Sequence, residues 1–406
     1  MMSRLPNDNA IIMIDRWYIM YLDKYKIRDA NERIVLGSLI KNQPVSRVDL
    51  SKITKLNKAT ITDIINSLIK KELVQEIGFG ESQNSGGRRP ILLNLNKDAG
   101  YALSIDVGNS YISSIITDLN GFVIHSENHR SSGFQVDESN IYTYIDDIVS
   151  ATESIAKKTT YGIVALVIAI HGVIHENIIK SSPNYNLVNI DLYSILNEKY
   201  SFPVLIENEA NLAILGQISL SPTINNALLL SIHTGIGAGV IIDRNLYYGS
   251  TGAAGEVGHM TLYPDGLSCR CGRKGCLEQY CSIDLLIKQL EVLYPNTPIN
   301  QKLYKQAYSE YESFKKLAIK SATDLAIGIQ SMIAHFDPDI IYIINEAFEA
   351  IPSLINVIKD VLKRDFNREI PIQVSDMKYG SILLGGASLG ISEFLEIQSF
   401  ILSNYQ

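Results

Sequence analysis

Apolar residues recur along this chain with two different periods, and the change of period divides it. Between Glu32 and Leu73 they return every three or four positions in three stretches, ERIVLGSLIKN, SRVDLSKIT and NKATITDIINSLIKKEL, broken at Gln43-Pro44 and at Lys55-Leu56. That spacing lines one face of a helix and predicts two short helices and a longer third, the arrangement of a helix-turn-helix. Ser46 and Asn57 stand just ahead of the periodic residues, where an oxygen is needed to cap the first free N–H groups. In the third stretch Ile61, Ile64, Ile65, Leu68 and Ile69 share the inward face. The opposite face carries Ala59, Asp63, Asn66 and Lys70, flanked by Thr60 and Thr62. The following VQEIGFGESQNSGGRRPILLNLN reads as a strand, a turn rich in Gly, Ser and Asn, and a second strand, which makes a hairpin wing.

From Gly100 onward the apolar residues form short runs bounded by turn residues. YALSIDVGN, SYISSIITDLNG, YGIVALVIAIHG, PVLIENEANL, NALLLSIHTGIGAGVIID and DIIYIINE read as strands. SIDLLIKQLEVLY and SATDLAIGIQSMIAHF read as helices. Strands alternating with helices predict an α/β architecture. The expected organisation is an N-terminal extension over residues 1–29, a winged helix-turn-helix over 30–97, and a larger α/β unit over 98–406. Within the extension, IIMIDRWYIMYLDKYKI suggests a helix packed on the winged unit or on a partner subunit.

Length agrees with two or three units, since 406 residues exceed one small domain. No run of apolar residues approaches the ~18 needed to span a membrane, and no leader pattern precedes the first helix, so the chain is expected in the cytoplasm. The net charge of -7 argues against a nucleic-acid binder until it is mapped along the chain. Residues 31–98 hold eleven Lys and Arg against seven Asp and Glu, a balance of +4 that leaves -11 elsewhere. Positive charge thus gathers where the helix-turn-helix pattern lies. Asn66 suits a base edge, and Ala59 with the methyl groups of Thr60 and Thr62 suits thymine methyls. Lys58 and Lys70 suit phosphates, and Arg88 with Arg89 at the wing tip suits a narrow minor groove or phosphates. The competing readings are a helical interaction module and, for the two arginines, a solvated linker.

Chemistry concentrates in a second place. GEVGHMTLYPDGLSCRCGRKGCLE brings His259, Cys269, Cys271 and Cys276 into one glycine-studded loop, whereas Cys281 falls outside the spacing and is expected in the core. Three thiolates and an imidazole are the donor set of a tetrahedral structural zinc site, here a loop over 256–281. Glu256 and Glu278 flank that loop, and Asn208 lies between Glu207 and Glu209, a carboxylate cluster that is costly unless something polar binds it.

These motifs, together with DVGNS at Asp106, ENEAN at Glu207, HTGIGAG at His233 and the winged segment ending in GGRRP, resemble the ROK family over residues 30–400. That family groups sugar kinases and sugar-responsive repressors on an actin-like, ribonuclease H-like fold of two lobes. The similarity is greatest to its xylose-responsive repressors from Gram-positive bacteria. The resemblance implies that Asn208, Glu209, Glu256, His259 and Glu278 bind a sugar, and that structural zinc is the cofactor. It also implies that operator DNA is a partner, D-xylose or a related sugar the effector, and a homodimer, or a higher oligomer, the assembly. Catalytic residues are not expected. Against the family's kinases, Glu209 stands in place of the aspartate base, Asn109 replaces a glycine of the first phosphate turn, and His233 adds bulk ahead of the second. Ile344-Asn345-Glu346-Ala347-Phe348 replaces a run of glycines and is expected to obstruct a nucleotide. The alternatives left open are an active sugar kinase and a repressor that answers another sugar such as glucose.

Overall fold

The computed structural model describes residues 29–80, 89–108, 111–129, 135–182, 187, 190–221, 223–363, 369–375 and 380–397. The N-terminal extension apart from residue 29, and Arg88 at the wing tip, therefore lie outside the described residues. The chain divides into two compact units, one reaching Ala99 and including residues 395–397, the other running from Gly100 to Phe394.

The first unit is a winged helix. It contains α1 (residues 29–42), β1 (Val45–Ser46), α2 (Arg47–Thr54), α3 (Lys58–Lys70), β2 (Val74–Phe79) and β3 (Ile91–Leu95). The strands form an antiparallel sheet in the order β1-β3-β2. Helix α1 begins ahead of the expected Glu32 and is already as long as α3, so the first helix is not short. Both expected caps form: Ser46 accepts from the Asp49 N–H at 3.2 Å and Asn57 from the Thr60 N–H at 2.8 Å. Leu39, Leu50, Ile61, Ile65, Leu68 and Leu93 are fully buried between helices and sheet. Burial of each such side chain contributes about 1.5–3 kcal/mol, which commits α3 to presenting its other face to solvent.

The second unit holds two sheets of the same design. The first lobe contains β4 (Tyr101–Val107), β5 (Ile112–Thr117), β6 (Val123–His129), α4 (Ile141–Ala156), β7 (Ile163–Ile170), the small hairpin β8 (Val173–His175) and β9 (Ile178–Ser181), α5 (Leu192–Lys199) and β10 (Val204–Asn208). Helix α6 (Glu209–Ser219) leads to β11 (Ala227–Ile232), β12 (Ile236–Ile242) and β13 (Asn245–Leu246). After the cysteine loop come α7 (Glu278–Cys281), α8 (Asp284–Leu293), α9 (Gln301–Glu310), α10 (Glu312–Phe336), β14 (Ile340–Ile344), α11 (Glu346–Ala350), α12 (Ser353–Leu362), β15 (Ile372–Val374) and α13 (Ser381–Leu395). Strand orders are β10-β7-β4-β5-β6 and β13-β12-β11-β14-β15. In each, the first strand pairs antiparallel with the second and parallel with the fourth, so the two lobes repeat one topology.

Every residue of β7 is buried, because it lies between two parallel neighbours in a part of the mixed sheet that is covered on both faces. Helices α6 and α13 cross between the lobes at glycines. A Cβ on Gly385 would stand 1.7 Å from the Leu212 carbonyl oxygen, and one on Gly216 would stand 2.1 Å from that of Ser381. Only hydrogen fits at that crossing.

Three expectations are corrected. The strand expected through Leu212 ends at Asn208, whose side chain accepts from the Ala210 and Asn211 N–H groups and starts α6. The run from Asn226 to Asp243 is two strands, paired antiparallel and reversing at His233. Finally, Ala347 and Phe348 point into the core and Asn345 caps α11, so of the stretch expected to obstruct a nucleotide these three side chains are turned inward, while Ile344 lines a cavity and Glu346 is exposed.

Candidate functional site

Strands β4, β7 and β10 lie side by side and parallel, so their C-terminal ends meet at one edge, where α/β sheets gather ligands. Asp106 is near the end of β4, His171 directly follows β7, and Asn208 with Glu209 marks the passage from β10 to α6. A cavity of about 320 Å³ opens there, lined by His171, Asn208, Glu209, Ser231, His233, Glu256, His259, Arg270 and Glu278 among others. All five residues expected to bind sugar therefore line a single cavity. The Ser231 hydroxyl in its wall has no hydrogen-bond partner among the described residues.

The side chain of Asn208 is committed locally. Its amide donates to the Gly172 carbonyl at 2.8 Å and to Glu209 Oε2 at 2.9 Å, while its oxygen caps α6. It thereby orients Glu209. Neighbouring Glu207 accepts from the Asn208 N–H at 2.8 Å and from Asn211 Nδ2 at 3.0 Å, and burial raises its pKa.

At the cavity floor an imidazole sits between two carboxylates. His171 Nε2 is 3.1 Å from Asp106 Oδ1, and Nδ1 is 3.9 Å from Glu209 Oε1. The Tyr111 hydroxyl donates to Asp106 Oδ2 at 2.9 Å and stands 3.2 Å from His171 Nε2. Burial alone would lower the His171 pKa, but the charges of Glu209 and Asp106 and the hydrogen bond to Asp106 outweigh it and raise it to about 9. His233, whose ring centroid is 6.0 Å from that of His171, moves the other way. Burial, then the neighbouring His171 cation, lowers it to about 4. Glu209 is raised by burial, an effect that His171 partly offsets.

Across the cavity the cysteine loop closes on itself. The Sγ atoms of Cys271 and Cys276 are 3.6 Å apart, and Cys269 Sγ is 3.7 Å from His259 Nδ1. All four donor atoms lie within 4.8 Å of one another. Sulfurs held at ~2.3 Å from one tetrahedral centre would be separated by about 3.8 Å, so the spacing fits a shared metal ion. The loop reaches this shape through Gly275 at φ +73°, where a Cβ would meet the Tyr263 carbonyl oxygen at 1.6 Å. Because His259 turns Nδ1 toward the cluster, its Nε2 remains for other partners. Glu278 Oε1 accepts from the Cys269 thiol at 3.0 Å, which ties the cavity wall to the cluster. Cys281 is buried, as expected of a core residue.

On the winged helix, Lys58, Ala59, Thr62 and Asn66 are exposed along α3, as is Arg89 just ahead of β3; Thr60 is half-buried. The Thr62 hydroxyl donates to the Lys58 carbonyl at 2.8 Å. Arg47, at the start of α2, donates to Glu76 at 3.0 Å and to Asn66 Oδ1 at 3.4 Å.

Sequence reasoning missed Asp106, Tyr111, His171, Arg270 and Arg47, and treated His233 only as bulk. One signal was available for His171: a histidine immediately after an unbroken apolar run stands at a buried strand's end, where ligands gather. A second, larger cavity of about 850 Å³ is lined by Asp106, Tyr111, Ser113, Ser114, Ile344 and Glu349 among others. Asp106 lines this cavity, whereas His171 lines the smaller one.

The ROK family model matches residues 102–393. A protein named xylose repressor from Bacillus spizizenii is 35% identical, with 92% of this chain and 98% of the relative covered. Among solved structures, a ROK family transcriptional regulator described as a homologue of the E. coli MLC protein superposes with a TM-score of 0.78 at 23% identity, covering 91% of this chain and 98% of that one. A ROK family glucokinase from Streptomyces griseus, solved with glucose and AMPPNP, superposes with a TM-score of 0.60 at 20% identity, covering 71% and 99%.

Proposed function

The chain belongs to the ROK family, and from that premise we propose that it is a dimeric repressor that leaves its operator when D-xylose fills the cavity at the strand ends. The observation that carries the reading is the cavity itself, together with a winged helix on the same chain. Carboxylates, an amide and an imidazole converge there, and a sugar presents adjacent hydroxyls that both donate and accept. Glu209, Glu256, Glu278 and His259 contact the hydroxyls, and Asn208 holds Glu209 in place. The choice of xylose follows the names of the relatives.

Zinc is the metal that the three thiols and one imidazole suit. Bound by four protein ligands it supplies a structural clamp that fixes the His259 ring, leaving Nε2 to meet a sugar oxygen. DNA is read by α3 and the wing: Asn66 at a base edge, Ala59, Thr60 and Thr62 at thymine methyls, Lys58, Arg88 and Arg89 at phosphates or the minor groove. Two copies meeting an operator through a two-fold axis set the half-site spacing.

Sugar binding closes the lobes, and closure changes how the operator is held. The coupling is reciprocal, so a tenfold loss of operator affinity on sugar binding, about 1.4 kcal/mol, implies a tenfold loss of sugar affinity on the operator. Fluorescence anisotropy of labelled operator against a panel of sugars tests this, beside a coupled assay with ATP. Release by D-xylose is the expected result; turnover of a hexose would return the chain to the kinases, and equal sugar affinity with and without operator would end the inducer model. Asn66→Ala is expected to cost about 1–3 kcal/mol in operator affinity while non-specific DNA binding persists.

A further inference from the structure

We propose that His171 is a positioning residue of the sugar cavity: its imidazole, clamped between Asp106 and Glu209, holds Glu209 as an ionised acceptor for the ligand and prevents it from acting as a base. The inference rests on the reading of this cavity as the sugar site. Its geometry comes from three neighbouring strands. Asp106 of β4 pairs with Ala169 of β7, and Asn208 of β10 pairs with Ile170 of β7. His171, the residue after Ile170, therefore projects between the other two strand ends.

Both ring nitrogens face carboxylate oxygens, Nε2 toward Asp106 at 3.1 Å and Nδ1 toward Glu209 at 3.9 Å. A hydrogen bond from Nε2 to Asp106 together with a second carboxylate at ion-pair distance from Nδ1 favours the doubly protonated cation. Two buried carboxylates with no cation between them would not both stay ionised, since each disfavours the charge of the other. The remaining groups facing His171 do not replace it: Tyr111 gives its proton to Asp106, and His233, on the β11–β12 turn, is held neutral by burial and by the His171 charge. Glu256, a more distant carboxylate, raises Glu209 further. The raised pKa of His171, about 9, agrees with this geometry. A carboxylate paired with an imidazolium accepts a hydroxyl hydrogen bond but has lost much of its drive to take the proton, which suits a sensor and not a kinase.

The test uses the full-length protein. Calorimetric titration with D-xylose and with D-glucose across pH 6–8 is run on the unaltered chain, on His171→Asn and on His171→Asn/Glu209→Gln. Affinity is expected to be flat for the unaltered chain. His171→Asn is expected to bind at least tenfold more weakly at pH 8 than at pH 6, because Glu209 and Asp106 then repel, and the double variant is expected to be flat again. Parallel profiles for all three proteins would overturn the proposal. In addition, nitrogen-15 NMR of the His171 ring without sugar reads its charge independently of any ligand. Protonation of both nitrogens at pH 7.5 supports the proposal and a neutral ring sinks it. If neither sugar binds the unaltered chain at any pH, the sugar-site reading fails, and the NMR result alone decides the state of His171.

Discussion

The cysteine loop and the strand-end floor line the same cavity, yet they are stabilised by different means. The loop is irregular chain between His259 and Cys276, shaped by glycine turns and carrying four donor atoms close enough to share one metal ion. The floor is drawn from positions far apart in the chain, His171 lying 65 residues beyond Asp106, and its frame includes the fully buried strands β4 and β7. On the readings proposed above, one wall of the site answers to metal and the other to a proton on His171, and the two dependences are separable by experiment.

The largest expected effect is on the loop. Cys276→Ser removes a buried donor, and the zinc reading predicts loss of the ion with a roughly 100-fold weaker sugar response, about 2.8 kcal/mol. Metal content and operator release, measured on the same preparation, check it. A full response from metal-free protein would show that the floor suffices alone.

The floor's signature is a stability profile with two limbs. His171 has a folded pKa of about 9 against an ordinary value of 6.5. Its contribution is thus complete below pH 6.5 and is lost as pH rises through about 9. With the cost of burying Glu209 set against it, the alkaline limb should amount to something on the order of 2 kcal/mol. His233 is opposite in sign: lowered from 6.5 to about 4, it favours the folded state above pH 6.5, and that contribution is lost as pH falls toward 4. Denaturant unfolding from pH 4 to 10 should show both limbs, the alkaline one absent in His171→Asn and the acid one absent in His233→Asn. Limbs that survive their own substitutions would assign the slopes to other groups.

The smallest effect is expected at the loop's exposed edge. Cys271 is exposed where Cys269 and Cys276 are buried, so in Cys271→Ser water can take the vacated position at the ion. The sugar response should weaken by about tenfold, about 1.4 kcal/mol. If Cys271→Ser proves as damaging as Cys276→Ser, burial is not what ranks the ligands.

Much of this was written locally. Helix periodicity, the caps at Ser46 and Asn57, and the Cys-His spacing each depend on residues within a few turns of one another, so the winged helix and the donor set of the loop were legible in the chain. The alternation of strands and helices announced the α/β class for the same reason. What local pattern could not convey was register. Whether the run from Asn226 to Asp243 is one strand or two, and whether Phe348 fills the cleft or the core, depends on which strands and helices pack against it. A hydrophobic pattern is equally compatible with both outcomes. The floor is the extreme case: Asp106 and Glu209 belong to separate motifs, His171 to none, and nothing in the local pattern says that the three meet. Only the parallel pairing of β4, β7 and β10 brings them within reach of one another. There, away from water, one imidazole between two carboxylates lowers the cost of burying their charge.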